Sequence, residues 1–545
     1  MKRIAIIGGG LTGLSTAYYL GKARPDLLID VYEQAPQPGG KIQTKRIDGF
    51  VVELGPDSYL GRKVEMTNLI NDLGLGHTLL ANATGQAYVY DKGETHPIPG
   101  GSIMGVPTEM MPFVKSTLIS WPGKIRAAMD FFRSPYKLDA QGDVSIGHFF
   151  HYHLGQEMMD KLIEPLLSGI YGGDIYKISL LSTFSHFIDV EQKYGNMVKG
   201  MMAAKMSHKK AGVEKASKGP AMNEGDVPTV GKDTMTDAEF KACGGHKIVP
   251  MSVKGESLKQ NGSSQVKLSV GTAYQSGMFR QLSGGLASVI NQIVEKMPGN
   301  VTLHMNTLVT DLKQEADFTY EVTTVVRGAD KDISGEVNAN ISVCDQDGEI
   351  SIVDTVIITT PPATYKSYFQ KDPGFDPIRD MEQSTCAIAI MAFDKATFDG
   401  DLKGSGLLIT RHTDTPLTAC TNLSQKWPQT TPSDKVVLRV FIGKPGDTTV
   451  DDSSEDELRA LAVSEIQRIM GFTSKPLWVE INRLVNCMPQ YNVGHRANVQ
   501  FVRHHIEKHY PSLYVIGTPF DGIGIPDGVK QGKELVDQLV DQLVD

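Results

Sequence analysis

The chain has 545 residues, too many for one hydrophobic core, so two or three domains are expected. Hydrophobic content of 40% and charged content of 21% are ordinary for a soluble globular protein, and a net charge of −9 argues against general nucleic-acid binding. The cysteines are Cys243, Cys344, Cys386, Cys420 and Cys487. They are scattered, odd in number and without CxxC spacing, which argues against a disulfide framework or a zinc site and for reduced thiols in the cytoplasm.

The N-terminal stretch MKRIAIIGGGLTGLSTAYYL carries a Lys-Arg pair, but its apolar run ends at Ile7 and no small-x-small cleavage site follows. No apolar run is long enough for a spanning helix. Arg3 to Ile7 instead predicts a strand buried in a parallel sheet, followed by a glycine turn and a helix through Leu11, Leu14, Ala17, Tyr18 and Leu20. Gly8-x-Gly10-x-x-Gly13 fits the dinucleotide fingerprint: a tight turn, close approach of a pyrophosphate, and close helix–strand packing. A second strand, Leu27 to Tyr32, ends at Glu33, whose carboxylate is placed to accept ribose hydroxyls. Glu65 to Leu73 predicts a helix and Gln86 to Tyr90 a strand.

Thr108 to Leu181 is mostly helical in pattern, interrupted by Pro165 and the glycines of SGIYGGD. From Met201 to Gly271 the chain is polar and rich in Lys, Gly, Ser and Pro, which predicts a flexible insertion with little more than one short strand. Leu286 to Met297 then predicts a helix. Val301 to Leu312, Tyr320 to Arg327 and Ile350 to Thr360 predict strands, the last (DTVIITTPP) a central parallel one. Residues 385 to 445 are strand-rich, Ser454 to Met470 is helical, and LYVIG is a strand. A glycine turn leads to a helix from about Asp527, with Leu535, Leu539 and Leu543 in one stripe beside Val536, Val540 and Val544.

Two stretches favour a flavin over a nicotinamide. In APQPGGKIQT, Gly39 and Gly40 again bare the backbone, and Lys41 can meet phosphate or the ring edge. In GTPFDGIGIPDGVKQGKELV, Asp521 is placed in a turn where its carboxylate can reach ribityl or phosphate-proximal hydroxyls. Gly522 and Gly524 let backbone pass a ring, and Pro526 and Asp527 suit a helix start aimed at the reduced flavin's charge. The stretches GGGLTGLSTAYYL, PGGKIQT, ELGPDSYLGRK, LIEPLLSGIYGGDIYKISL, MPQYNVGH and GIGIPDGVKQGK together resemble the oxygen-dependent protoporphyrinogen and coproporphyrinogen III oxidases of haem synthesis. These belong among the amine-oxidase-like flavoproteins, and the likeness is greatest to the Gram-positive bacterial type.

The resemblance implies an α/β fold: a Rossmann-type FAD-binding domain, a discontinuous α+β substrate domain and a helical subdomain. On this chain the FAD domain is expected at 1–85, 272–360 and 481–545, and the substrate domain at 86–107 and 361–480. The helical subdomain is expected at 108–200 and the insertion at 201–271. FAD contacts are implied at Gly8, Gly10, Leu11, Thr12, Gly13, Glu33, Gly40, Lys41, Gly55, Pro56, Val309, Asp521, Ile523, Gly524 and Ile525. The Gly169 carbonyl is implied near the reacting centre. Arg62 and Lys63, which close the ELGPDSYLGRK loop, are candidate contacts for substrate carboxylates, with Lys41.

The implied reaction is a six-electron aromatisation of a porphyrinogen, coproporphyrinogen III in preference to protoporphyrinogen IX. The flavin is the electron sink and O2 the acceptor. Ferrochelatase is the implied recipient of product. Nucleic acid is not an expected partner, and a peripheral contact with the inner face of the membrane stays open. Amine or carotenoid oxidation, or GDI-like binding without flavin, would use the same fold. ELGPDS together with SGIYGGD argues against the first pair, and intact glycines at both termini against the last.

Three positions depart from the family pattern: the long insertion, Leu484 in place of a Trp, and Gly528 in place of a Cys. His148, His151 and His153 invite a metal reading, but their spacing is poor for a shared ion and exposed polar helix positions are expected. No metal site is expected.

Overall fold

The run Arg3–Ile7 carries no charge after its first residue, and it lies at the centre of a five-stranded parallel sheet. The strand order is Val301–His304, Leu28–Tyr32, Arg3–Ile7, Thr355–Ile358, Leu513–Val515. The computed structural model of the chain describes residues 1–138, 142–206, 277–326, 349–401 and 404–542. One face of the sheet is covered by the helices Leu11–Ala23 and Ile525–Gln542, where Leu20, Leu535, Val536 and Leu539 pack on Ile4, Ile6 and Ile29. Each such fully buried aliphatic side chain contributes about 1.5–3 kcal/mol. The other face is covered by an antiparallel sheet of Thr307–Gln314, Tyr320–Val326 and Glu349–Val353, with the helix His495–His509.

A second, seven-stranded sheet runs Trp478–Pro489, Gln383–Asp394, Lys435–Ile442, Leu417–Asn422, Gly406–Ile409, Ala87–Asp91, Glu94–Pro97. Its strand Gln383–Asp394 is apolar on both faces for a reason. Ala387, Ala389, Met391 and Phe393 pack under the helix Glu455–Met470, while Ile388, Ile390 and Ala392 pack on Trp427, Phe50 and Val52. That helix starts with a capping box, Ser454 with Glu457, and stops at Gly471 in the left-handed region. The helices Trp121–Ala128, Ile146–Leu154 and Glu164–Tyr171 form a third layer with their own apolar core around Phe149, Phe150, Leu162 and Phe187.

Several expectations need correction. The strand expected over Ile350 to Thr360 is two strands. Asp354 divides them, with its carboxylate accepting the Arg3 N–H (2.6 Å). The expected domain boundary at 480/481 falls inside the strand Trp478–Pro489 of the seven-stranded sheet. Tyr365, Tyr368, Phe375 and Ile378, assigned to the substrate domain, pack against the parallel sheet. The C-terminal helix begins at Ile525 rather than Asp527. Residues 197–206 are helical, and Met201 is buried in the helical core, so the insertion cannot start at Met201. The rest of 201–271, with Cys243, Cys344, Leu543 and Val544, lies outside the described residues. Of the three histidines, His148 and His151 are exposed but His153 is fully buried, because the helix turns it toward Asp130 and Glu191.

Candidate active site

The site begins where the central strand ends. Gly8 takes φ +111°, a backbone that only glycine adopts freely. A Cβ on Gly13 would lie 2.0 Å from the Gly8 carbonyl oxygen, so only glycine lets the helix start this close to the strand. Gly10, by contrast, faces open space, and the helix N-terminus has no side-chain cap. Its free N–H groups, with the helix dipole, form a seat for phosphate. Leu11 is buried at the first turn, and Thr12 faces the C-terminal helix at Gly528.

Glu33 lies at the end of the neighbouring strand. Its carboxylate accepts N–H bonds from Gly9 (2.8 Å) and Ala35 (2.8 Å), and burial raises its pKa. Val309 belongs to the strand that begins at Thr307, whose N–H donates to the Glu33 carbonyl (2.8 Å). Its side chain packs in the apolar cluster beside Tyr32.

The second glycine loop closes on the first: the Gly39 N–H donates to the Gly9 carbonyl (2.8 Å), and Gly40 has φ +59°. Lys41 is exposed, its side chain lining open space. Its ammonium donates to the Cys487 carbonyl, and desolvation by the surrounding protein lowers its pKa. Against this loop presses Gly55, where a Cβ would meet the Lys41 carbonyl at 1.8 Å, followed by half-buried Pro56.

Sequence reasoning missed what holds that contact. Arg439 is buried in the seven-stranded sheet. It donates to the carbonyls of Glu53 (3.0 Å) and Gly55. Asp57 binds Lys426 Nζ (2.8 Å) and the Trp427 indole N–H (3.3 Å). Burial would raise the Asp57 pKa, but Lys426 and Arg439 outweigh it and hold it well below the usual range. Glu53, with only N–H and O–H donors directly on its carboxylate, is pushed up by burial to about 7. A signal was present: Arg439 is a lone charge inside the apolar run VVLRVFIG.

Three distant motifs meet at the far wall. The Gln490 side-chain amide donates to the Tyr171 carbonyl (2.9 Å), tying MPQYNVGH to SGIYGGD. The Tyr491 hydroxyl donates to the Thr518 carbonyl (2.6 Å) and accepts the Gly522 N–H (2.9 Å), tying the same segment to GIGIPDG. Gly169, on the helix Glu164–Tyr171, is exposed and faces open space. Ile523 packs toward the helical core and Ile525 toward the core beneath the first helix, so the loop around Gly524 joins the two layers.

Two expected roles do not match the side-chain positions. Asp521 does not turn inward; its carboxylate pairs with Arg503 on the surface, where both are about half-exposed. Lys63 is committed to Asp527 (2.5 Å), which also accepts the Gly524 N–H (3.1 Å). Arg62 is half-buried, and its charge, after burial, helps hold His186 down at about 4. Among the described residues no group of three His, Cys, Asp or Glu is placed to hold a metal ion, and no helix is long and apolar enough to cross a membrane.

The glycine cradle, uncapped helix N-terminus, exposed lysine and bared C-terminal loop fit a flavin with a phosphate-bearing tail. The bound flavin would supply the electron acceptor; the chain supplies its seat. Comparisons with known proteins agree. Over 533 residues the chain is 37% identical to the coproporphyrinogen III oxidase of Staphylococcus aureus, covering 98% of this chain and 97% of that protein. It is 32% identical to the coproporphyrinogen III oxidase of Bacillus subtilis, covering 98% and 97%. A crystal structure from Exiguobacterium sp., of a protein provisionally named protoporphyrinogen oxidase, superposes with a TM-score of 0.76 at 30% identity over 99% of both chains. Residues 11–540 match the family described as flavin containing amine oxidoreductase, and with this glycine cradle and this coverage the chain belongs to that family.

Proposed function

We propose that the protein is an FAD-dependent oxidase that converts coproporphyrinogen III to coproporphyrin III, with O2 as acceptor. The observation that carries this reading is the meeting of SGIYGGD, MPQYNVGH and GIGIPDG around Tyr171, Gln490 and Tyr491. Two relatives at 37% and 32% identity carry the coproporphyrinogen III oxidase name. FAD fits because Glu33 is placed for a ribose beyond the phosphates. Residues of this chain hold and orient: Gly10 to Gly13 seat phosphate, Lys41 offers a cation beside the flavin edge, and Gly169 leaves its helix bare toward substrate. Catalysis of this kind rests on positioning and electrostatics.

Arg62 and Lys63 are the candidate contacts for substrate carboxylates, and Lys63 also pairs with Asp527 (2.5 Å). Coproporphyrinogen III has four carboxylates and protoporphyrinogen IX two, and an unpaired carboxylate is costly to desolvate. Assays of both porphyrinogens, aerobic and anaerobic, followed by porphyrin fluorescence, test the reading. A higher kcat/KM for coproporphyrinogen III, reduced by Arg62→Ala, is expected. A preference for protoporphyrinogen IX, or a protein that cannot be reconstituted with FAD, overturns it.

The product is a tetracarboxylic porphyrin, and hand-off to ferrochelatase is the matching next step. Peripheral membrane contact has a candidate surface. Trp121, Ile125, Met129 and Phe132 recur at helical spacing and are all more than half exposed, with Lys115, Arg133 and Lys137 nearby in the chain. An amphipathic face of this kind suits in-plane docking on an anionic bilayer. Sedimentation with phosphatidylglycerol vesicles, weakened by Phe132→Ser, is the expected result; no binding at low salt rejects the contact.

A further inference from the structure

Cys386 and Cys487 lie on neighbouring antiparallel strands, Gln383–Asp394 and Trp478–Pro489. The register between them breaks. Ser384 pairs with Met488 but Cys386 pairs with Leu484, so Val485, Asn486 and Cys487 stand opposite Thr385 alone. Asn486 takes φ +46°, and its N–H donates to Thr385 Oγ1 (3.1 Å). Such a bulge re-aims a side chain. Here it sets Cys487 beside Cys386 across the strand pair, near enough for each thiol to act on the other's ionisation. Cys487 is buried and Cys386 half-buried. Lys41 donates to the Cys487 carbonyl, and its charge acts on both sulfurs.

The pair divides its acidity. The neighbouring Cys386 thiol, against burial and with help from Lys41, brings Cys487 down to about 7, while Cys386 is held well above the ordinary thiol range. A thiolate stabilised by a neighbouring thiol and a cation is the reactive form of cysteine. Cys420 is an internal contrast: burial alone pushes it up to about 12.

We propose that Cys386 and Cys487 are a redox-active dithiol at the edge of the cofactor cleft, closed to a disulfide by hydrogen peroxide. The Cys487 thiolate attacks one peroxide oxygen; an S–O bond forms, the O–O bond breaks and hydroxide leaves. The Cys386 sulfur then attacks Cys487; the S–S bond forms, the S–O bond breaks, the Cys386 proton leaves with the departing hydroxyl as water, and the hydroxide of the first step takes up the proton released when Cys487 ionised, giving the second water. Two thiols and one peroxide give one disulfide and two waters, with two electrons passing from sulfur to oxygen. The disulfide draws in the bulge that carries the Cys487 carbonyl, the acceptor of Lys41, so oxidation reaches the cleft. An oxidase would generate the same oxidant locally, but the proposal does not depend on that reading.

The test uses the full-length protein as purified. It is treated with hydrogen peroxide, alkylated with iodoacetamide and mapped by non-reducing peptide mass spectrometry. The expected product is a Cys386–Cys487 cross-linked peptide that disappears on adding dithiothreitol, with Cys420 unmodified. Cys386→Ser should stop the reaction at a Cys487 sulfenic acid trapped by dimedone. Cys487→Ser should slow oxidation of Cys386 about ten-fold or more, because the attacking thiolate is gone. The proposal is overturned if both thiols of the wild-type protein remain alkylatable after peroxide, or if Cys487 goes to sulfinic acid without a disulfide. Cross-linking of either one to Cys243 or Cys344 instead also overturns it.

Discussion

Two buried ionic clusters brace this protein, and they are made of different chemistry. Beneath the cofactor loop, Asp57 is held by the Lys426 ammonium and the Arg439 guanidinium. In the helical subdomain, His153 sits between Asp130 Oδ1 (2.6 Å) and Glu191 Oε1 (3.0 Å), the second contact lacking the alignment of a hydrogen bond. All three side chains there are essentially inaccessible to solvent. The cation in that clasp is an imidazole, which can lose its proton. Burial alone would lower the His153 pKa, but Asp130 and Glu191 outweigh it and raise it. The helical layer therefore carries a titratable joint.

The linkage signs are opposite. Asp57 is depressed in the fold, so its contribution is present above the ordinary Asp range and is lost only as pH falls through its low folded value. His153 is raised, so its contribution is full below the unfolded value of about 6.5 and is lost as pH rises through the folded value.

The largest expected effect comes from breaking the cluster beneath the cofactor loop. Arg439→Met removes the donor to the Glu53 and Gly55 carbonyls and strands Asp57 with one cation. A loss of about 3–5 kcal/mol in urea unfolding, with weakened flavin retention, is expected. A loss below about 1 kcal/mol would mean that the cradle holds itself without this charge.

Next is the titratable joint. His153→Gln keeps one hydrogen bond but leaves two buried carboxylates without a cation, which should destabilise by about 2–4 kcal/mol near pH 6. The wild-type protein should lose stability as pH rises above about 6.5, and the variant should lose less over the same rise. Parallel pH profiles would remove His153 as the cause.

Glu33 tests a third kind of burial, a carboxylate satisfied by N–H groups with no cation at all. Glu33→Ala gives up charge-assisted bonds of roughly 1.5–3 kcal/mol, so flavin affinity by fluorescence titration should fall about ten-fold or more. Unchanged affinity would refute the ribose role. The smallest effect belongs to the pair Lys63–Asp527, where the lysine is more than a third exposed. Lys63→Ala should cost at most about 1 kcal/mol and depend on salt. A cost equal to that of Arg439→Met would show that burial is not what separates these clusters.

Much of the cofactor seat was legible along the chain, because its signals are local. Gly8, Gly10 and Gly13 are set by what a strand–turn–helix needs within six residues, and Glu33 by the strand beside it. The helix Glu455–Met470 announces itself with Ser454, Glu457 and Gly471. Residues 385 to 445 were legible as strand-rich, but not the bounds of Gln383–Asp394 or which layer each of its faces would meet.

The partners were not legible, because they come from distant parts of the chain and no local pattern encodes them. Asp57 meets Lys426 and Lys63 meets Asp527 only through tertiary packing, and Cys386 comes beside Cys487 only when the strands Gln383–Asp394 and Trp478–Pro489 pair. His153 illustrates the limit within one helix. Its spacing from His148 and His151 puts it on a different face, yet it was expected to be exposed like them. Whether that face met water or two carboxylates depended on where Asp130 and Glu191 were brought, and packing of the helical core decided it. Asp521 shows the same rule in reverse, since its place in a glycine turn was readable but its rotation outward followed from the position of Arg503 on the neighbouring helix. Local backbone demands are written in consecutive residues; the direction in which a charged side chain finds its partner is set by long-range packing, where desolvation makes an unpaired charge too costly to keep.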